Sequence, residues 1–327
     1  MILKRARMTA LFGLCALFGS PAVLADETAA WTLEAAMPTA RSEIAAATLE
    51  GRLYVAGGMG LFGGLTEFEA YNPEADAWSQ RASLPERRHH SALVALAGRI
   101  YAIGGYGGRF LSDPSDSVWA YEPDRDSWTV VAPLPAPRAA HAAVVLNGKI
   151  FVVGGIGPGA RELWIYDPEK DLWADSGTRL PSRREHLSAV AWQGQLVVIG
   201  GRWQGEGNSG LVEIYDPNTN LWREGTEMPT ARGGLTAALV RGRVHVTGGE
   251  AFDPGRTFDA HEVYDPAMDS WQTAPALPTA RHGLASAAVG ARWYVIGGGT
   301  GAGTMTLVSL SDLVEVYGTP EWNTDAE

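Results

Sequence analysis

Short apolar runs recur along the chain, each introduced by a polar residue and each ended by a Gly-Gly pair. The first three runs are Arg52–Ala56, Arg99–Ile103 and Lys149–Val153, and their β-branched and aromatic residues predict buried strands. The pairs recur about every 48 residues, a period that indicates a repeat architecture. The six pairs are Gly57-Gly58, Gly104-Gly105, Gly154-Gly155, Gly200-Gly201, Gly248-Gly249 and Gly297-Gly298.

A second predicted strand in each repeat ends in a tyrosine. In the first five repeats this tyrosine leads into a proline-containing turn, and a tryptophan stands seven residues after it. A proline follows, and three residues beyond it an arginine introduces the next apolar strand. The tyrosines are Tyr71, Tyr121, Tyr166, Tyr215, Tyr264 and Tyr317, and the tryptophans are Trp78, Trp128, Trp173, Trp222 and Trp271. The arginines are Arg41, Arg88, Arg138, Arg184, Arg232 and Arg281.

This order of Gly-Gly, Tyr and Trp resembles the kelch repeat, and the resemblance covers nearly the whole chain after residue 25. It implies that each repeat is one four-stranded blade of a β-propeller, with strands a to d running from the central channel to the rim. A four-stranded sheet cannot bury both of its faces alone, so blades must stack around an axis. We therefore predict an all-β, six-bladed kelch β-propeller.

The sixth repeat lacks its outer strand, because Thr324 stands where the other repeats have a tryptophan. Trp31, near the start of the chain, has the same spacing to a following proline as Trp78. We predict that the segment 26–40 supplies the missing strand, pairs with the last blade and closes the ring. Closure removes a sheet edge that an open ring would expose.

Residues 1–25 have a basic start, an apolar core and small residues at the end, which together predict a secretory signal peptide. The rest, 26–327, is predicted to be a single domain, with blades over 41–318 and an acidic tail at 319–327. We expect export to the periplasm or the extracellular space. The one cysteine, Cys15, lies in the predicted signal peptide, so the mature protein is expected to have no disulfide.

The formal net charge is −11, and it becomes more negative without the basic start of the chain. Because an acidic surface repels phosphate, we expect neither nucleic acid nor an anionic membrane surface as a partner. The apolar core of the signal peptide is too short to span a bilayer, and no other segment is apolar enough to be inserted.

The repeat arginines are expected on the face where strand b ends and strand a begins, together with the variable loops. Two interpretations stay open. An arginine that every repeat carries is typical of a structural role, such as holding neighbouring loops through backbone carbonyls. A ring of guanidinium groups at the channel mouth would instead bind the carboxylates of a sugar acid or an acidic peptide or protein, or a carbohydrate.

The residue directly after each Gly-Gly pair differs between blades, as expected of a position that lines a site. These residues are Met59, Tyr106, Ile156, Arg202, Glu250 and Gly299. Tyr106, and Arg202 with the adjacent Trp203, are candidate ligand-binding residues, because they offer a charge and aromatic surfaces. Ordinary solvated loop polarity is the alternative.

The blade-five loop that begins at Glu250 resembles the corresponding loop of the periplasmic N-acetylneuraminate mutarotases, which are six-bladed kelch propellers. The shared features are Gly-Glu-Ala, a Pro-Gly pair and an Arg-Thr at the same distance from the glutamate; here the Pro-Gly pair lies one place nearer the arginine. The resemblance implies that Glu250 is catalytic and moves the anomeric hydroxyl proton. It also implies that Arg256 holds the substrate carboxylate.

We predict no cofactor and no metal site. The seven histidines show no pair at metal-ligand spacing on one element, and packed or water-bonded histidines are the favoured interpretation, although a site drawn from several blades stays open. Galactose oxidase shares the kelch propeller, but its copper centre needs a tyrosine cross-linked to a cysteine, and the predicted mature chain has no cysteine.

The sequence is compatible with three functions, and it leaves open whether the chain is an enzyme. The first is a binding module that uses the arginine-bearing loop face. The second is a sugar-acid mutarotase that uses Glu250 and Arg256. The third is an assembly scaffold, which would expose an apolar patch on the side of the propeller.

Overall fold

Six antiparallel sheets, five of four strands and one of five, make up the fold over the described residues, together with two short two-stranded hairpins. The computed structural model describes residues 29–318 except 109, 110 and 112, so the predicted signal peptide and the acidic tail lie outside the described residues. The sheets surround a central channel as the six blades of a propeller. The all-β kelch β-propeller expected from the repeats is therefore confirmed.

The strands of the first half are numbered in chain order. The chain begins with β1, Ala30–Leu33. Blade one contains β2 Ala45–Leu49, β3 Arg52–Ala56, the loop hairpin β4 Met59–Gly60 and β5 Gly63–Gly64, then β6 Phe68–Asn72 and β7 Ala77–Gln80. Blade two contains β8 Ala92–Leu96, β9 Arg99–Ile103, β10 Val118–Glu122 and β11 Ser127–Val131. Blade three contains β12 Ala142–Leu146, β13 Lys149–Val153, β14 Glu162–Asp167 and β15 Leu172–Arg179.

The second half follows the same plan. Blade four contains β16 Ser188–Trp192, β17 Gln195–Ile199, the loop hairpin β18 Arg202–Trp203 and β19 Gly207–Asn208, then β20 Val212–Asp216 and β21 Leu221–Gly225. Blade five contains β22 Gly233–Val240, β23 Arg243–Phe252, the short β24 Gly255–Thr257, β25 Glu262–Asp265 and β26 Ser270–Thr273. Blade six contains β27 Ala285–Val289, β28 Arg292–Ile296 and β29 Val314–Gly318.

The helical content of the described residues is limited to two 3-10 turns, Pro123–Arg125 and Gly303–Val308. None of the helices described is long and apolar enough to cross a membrane.

The hydrophobic core lies between neighbouring blades. Each buried cluster joins side chains from two adjacent sheets; for example, Tyr54 of blade one packs in the same cluster as Ile100 and Tyr121 of blade two. The innermost strands are rich in alanine, as in β2 and β27, because six strands converge around the channel and leave room only for small side chains. Burial of apolar surface between blades is thus what makes each blade stable.

The N-terminal strand closes the ring, as the sequence predicted. β1 pairs with β29 in antiparallel register, with Trp31 opposite Tyr317. The Trp31 indole packs against Tyr317 and Trp293, and its N–H donates a hydrogen bond to the carbonyl of Pro275 at 2.7 Å. The last blade therefore has its fourth strand.

The repeated tyrosine and tryptophan fasten each blade to the one before it. In blade one, the Tyr71 hydroxyl donates to Asp76 at 2.6 Å, and Asp76 accepts the N–H of Ala35 at 2.7 Å. The Trp78 indole donates to the carbonyl of the same Ala35 at 2.9 Å. The arrangement recurs in blades two, three and five through Asp126 and Trp128 on Ala82, Asp171 and Trp173 on Ala132, and Asp269 and Trp271 on Thr226. These polar groups fix the rim of the propeller.

Around the channel, a closed ring of backbone hydrogen bonds links all six blades. The residue two places after each repeat arginine donates its N–H to the carbonyl of the equivalent residue in the blade before it. The ring runs through Glu43, His90, Ala140, His186, Gly234 and Gly283, with N–O distances of 2.6 to 3.0 Å. All six residues adopt positive φ, which turns the chain sharply into the inner strand. We call these residues the inner ring.

We predict that Trp31→Ala lowers the free energy of unfolding by about 3 kcal/mol, since it removes the packing and the hydrogen bond that hold the closing strand. Trp31→Phe should cost only about 1 kcal/mol, because the aromatic packing is kept and one hydrogen bond is lost. Urea denaturation followed by circular dichroism measures both. Trp78→Phe is the matched control and should resemble Trp31→Phe; equal costs for Trp31→Ala and Trp31→Phe would show that the closing strand does not depend on this packing.

Candidate functional site at the channel mouth

The channel mouth is built from one short bridge in each blade. The residue after each repeat arginine pairs with the residue after the Gly-Gly pair, because the end of strand b returns beside the start of strand a. The bridged pairs are Ser42 with Met59, His89 with Tyr106, Ala139 with Ile156, Glu185 with Arg202, Gly233 with Glu250, and His282 with Gly299. The charged members come from blades four, five and six, so these charges lie on one side of the mouth.

Glu250 is the centre of an ionic network on that side. Its Oε1 accepts from the Arg202 guanidinium at 2.5 Å and lies 3.2 Å from Nδ1 of His282, and its Oε2 accepts the N–H of Gly303 at 2.8 Å. Arg202 also donates from Nε to Glu185 at 2.8 Å. Burial opposes ionisation of Glu250, but the hydrogen bond with His282 and the charges of His282 and Arg202 lower its pKa to about 2.

Both ring nitrogens of His282 face acceptor oxygens. Its Nδ1 faces the ionised Glu250, and its Nε2 lies 3.0 Å from the carbonyl oxygen of Gly301, which can only accept. Burial lowers the pKa of His282, but the hydrogen bond with Glu250 and the charge of Glu43 outweigh burial and raise the pKa above its usual value.

Three side chains of the inner ring meet on the channel axis. Oε2 of Glu43 lies 3.3 Å from Nε2 of His90 and 3.8 Å from Nε2 of His186, and the two imidazole rings are 4.8 Å apart. Gly283 leaves the space that the Glu43 carboxylate occupies, since a Cβ there would lie 2.5 Å from its Oε1. We call Glu43, His90 and His186 the axial cluster.

Burial sets the protonation of the axial cluster. It lowers the pKa of His90 to about 3, aided by the charge of Arg202, and it holds the pKa of His186 well below its usual range. Burial also raises the pKa of Glu43. Both imidazoles are therefore neutral at pH 7, and each has a lone pair available.

Below the axial cluster, the inner strands enclose a cavity of about 210 Å³. Its walls are mostly alanine, serine and leucine, and Glu43, His90 and His186 border it together with His141. The cluster thus borders an internal channel.

A family model described as the KLHDC2/KLHL20/DRC7 Kelch-repeats domain matches residues 23–155 and 156–317. The chain belongs to the kelch-repeat family. A solved structure titled "Structure of YjhT" superposes on this kelch propeller with a TM-score of 0.73 and 18% sequence identity, covering 86% of this chain and 96% of that chain. At this identity the likeness shows a shared fold. No curated protein sequence matched the chain.

The six repeat arginines of this kelch propeller lie behind the mouth and are buried. In four blades the guanidinium pairs with a glutamate two residues before the strand-c tyrosine; the pairs are Arg41 with Glu69, Arg184 with Glu213, Arg232 with Glu262, and Arg281 with Glu315. In blades two and three a tryptophan takes the glutamate's place, with Arg88 over Trp119 at 4.6 Å and Arg138 over Trp164 at 3.6 Å. This placement matches the structural interpretation of the arginines.

The structure separates the two residues that the mutarotase resemblance brought together. Glu250 pairs with Thr257 across the β23–β24 hairpin, so Arg256, one residue earlier, has its side chain on the opposite face. Arg256 is exposed and lies over the ring of Phe258 at 4.6 Å. Arg202 contacts Glu250 instead.

The two remaining candidate ligand-binding residues, Tyr106 and Trp203, differ in how deeply they are buried. Tyr106 is buried and packs beside His89 and His90, with ring centroids 5.4 and 5.5 Å apart, so it supports the mouth from behind. Trp203 is half-buried in the blade-four loop, under the guanidinium of Arg183. Sequence reasoning missed Glu43 and His90 as site residues, although their constant spacing after each repeat arginine was a usable signal.

We predict that Arg41→Met lowers the free energy of unfolding by about 3–5 kcal/mol, because it leaves the Glu69 carboxylate buried without its partner. The double variant Arg41→Met with Glu69→Leu should regain much of this loss, since it removes both charges. Chemical denaturation provides the measurement. Unchanged stability of Arg41→Met with a loss of anion binding would instead support the ligand-binding interpretation of the ring.

Proposed function

We propose that this chain is an exported binding propeller whose loop face docks a polypeptide partner with apolar and acidic side chains. The observation that carries the proposal is a set of large apolar side chains exposed in the loops around the polar mouth. They come from blades one, two, five and six and are Leu61, Phe62, Leu111, Phe252, Met305 and Val308. Exposed apolar groups that share one face of a protein are typical of interaction sites.

These six exposed apolar residues all lie in loops on the same face of the propeller. Phe62 is 75% exposed and lies in the blade-one loop that follows strand b, and Phe252 is 60% exposed and lies in the β23–β24 hairpin. The other exposed large apolar residues of the described chain are spread over blades two to six, mostly one to an outer strand. A cleft of about 380 Å³ between the loops of blades one and two is bordered by Phe62 and Arg87, and it suits an apolar side chain next to a carboxylate.

Exposed arginines give this face a preference for acidic partners. Arg87 and Arg183 lie in the linkers that enter strand a, and Arg256 lies in the blade-five hairpin. Unlike the buried repeat arginines, these guanidinium groups reach solvent. Aromatic residues, methionine and arginine together are the composition typical of protein-binding surfaces.

We predict that peptides selected from a random phage library on this protein will combine acidic with aromatic or aliphatic residues. Phe252→Ala and Arg256→Ala should each weaken the selected peptides by about 10-fold or more, as loss of an interface anchor does. Affinity is measured by fluorescence anisotropy. Leu221→Ala is the matched control, because Leu221 is 66% exposed on an outer strand away from the loops.

A binding loss in Leu221→Ala and not in Phe252→Ala would contradict the proposal and favour the scaffold interpretation, which uses the side of the propeller. Selection of no peptide on either face would also count against a polypeptide partner.

A sugar-acid mutarotase is the second candidate, supported by the blade-five loop and by the ionised Glu250 at the mouth. The state of Glu250 argues against the mutarotase. A carboxylate with a pKa of about 2 that is already bonded to Arg202 and His282 is a poor proton acceptor. The geometry therefore favours binding over catalysis.

We predict that the protein leaves the rate of anomer exchange of N-acetylneuraminate unchanged, since Glu250 and Arg256 do not face one site. Exchange spectroscopy by NMR measures this rate directly. Acceleration that disappears in Glu250→Gln and persists in His141→Gln would establish the mutarotase and overturn the binding proposal as the main function.

A further inference from the structure

We propose that the axial cluster, Glu43, His90 and His186, binds a divalent transition-metal ion, with zinc the expected occupant. The three residues come from blades one, two and four and meet only because the propeller closes. Each offers one donor atom, and the three atoms lie within 4.8 Å of one another. The inference goes beyond the proposed docking of a polypeptide and does not depend on it.

The spacing of the donors suits zinc. Ligand atoms at about 2.0–2.2 Å from zinc with tetrahedral angles lie roughly 3.3–3.6 Å from one another. The Glu43 carboxylate is 3.3 Å from Nε2 of His90 and 3.8 Å from Nε2 of His186. All three donor atoms lie within 4.8 Å of one another, so binding requires them to move closer together around the ion. Two imidazoles and one carboxylate are also a common ligand set for zinc and for other first-row metals.

Neighbouring side chains orient the two imidazoles as metal ligands require. Nδ1 of His186 contacts the carboxylate of Glu185, and Nε2 of His186 faces Glu43. Nδ1 of His90 is held by Nδ1 of His89 at 2.6 Å, which leaves Nε2 of His90 facing the same point. A carboxylate behind a coordinating histidine is the usual outer-sphere arrangement at metal sites.

The local charge also favours a cation. Three carboxylates, those of Glu43, Glu185 and Glu250, are close together at the mouth. The side chains that face them are the Arg202 guanidinium and the His282 imidazole. A divalent ion between Glu43 and the two imidazoles would add positive charge beside these buried carboxylates, where unpaired charge is costly.

The backbone holds the donors in place before any ion arrives. All three belong to the inner ring, whose hydrogen bonds fix the direction of each side chain toward the axis. The cavity of about 210 Å³ beside them provides room for an ion to enter and for a water molecule or a ligand anion to complete the coordination.

Isothermal titration of tag-free, EDTA-treated full-length protein with Zn²⁺ tests the site. We expect one zinc per chain. His90→Gln, His186→Gln and Glu43→Gln should each weaken binding by at least about 100-fold, and Glu185→Gln by about 10–100-fold as an outer-sphere loss. His141→Gln is the matched control, because His141 lines the same cavity outside the cluster, and it should bind zinc like the unaltered protein.

Two measurements on the unaltered protein keep the test independent of variant folding. Zn²⁺ should raise the melting temperature in proportion to its saturation of the site. Co²⁺ should develop the visible absorption of a low-symmetry four- or five-coordinate ion. Absence of both effects, or equal zinc affinity in the cluster variants and in His141→Gln, would overturn the proposal.

Discussion

The inner ring of backbone hydrogen bonds is the constraint on which the rest of this propeller depends. Each bond joins one blade to the next, so the ring holds only when all six blades are present. It forces six residues into positive φ, and four of them are not glycine. That conformation is unfavourable for such residues, and the surrounding blades must hold it in place. The same turn that closes the channel also directs each inner-ring side chain toward the axis.

The channel mouth is a by-product of that geometry. Every blade contributes one inner-ring residue to the axis. Residues that are far apart in the sequence are therefore neighbours there. In this chain two of the six are glycines, one is alanine, and the other three are Glu43, His90 and His186. One of the glycines, Gly283, leaves the space that the Glu43 carboxylate occupies. Which polar side chains meet at the axis therefore depends on which blades carry glycine or alanine at the inner-ring position.

Most of the fold could be predicted from the sequence, because its determinants are local and repeat. The Gly-Gly pairs, the strand-c tyrosines and the rim tryptophans each mark a defined place in a blade, and Trp31 revealed the closing strand by its spacing alone. The glutamates that pair with the repeat arginines were also visible, two residues before tyrosines such as Tyr71 and Tyr215. In two blades a tryptophan stands in place of that glutamate, and the arginine guanidinium lies over its ring.

The site was harder to predict, because it depends on register and on contacts between blades far apart in sequence. A loop motif placed Glu250 and Arg256 together, but the hairpin pairs Glu250 with Thr257, and alternation along a strand then turns Arg256 away. Arg202, from the preceding blade, takes its place. Likewise, His90 and His186 lie two repeats apart and meet across Ala140 of the blade between them. Their shared spacing after a repeat arginine places both in the inner ring, but their contact depends on how the blades close.

The pairing of β1 with β29 has a consequence for how the chain folds. Five blades form from strands that follow one another closely, whereas the sixth joins residues 284 positions apart, as between Thr32 and Val316. Closing so long a loop is entropically costly and slow. Until β29 has been synthesised, β1 has no partner and the growing stack of blades has an open edge. The first strand to be synthesised, β1, and the last, β29, thus pair in one step. That step completes both the sixth blade and the channel.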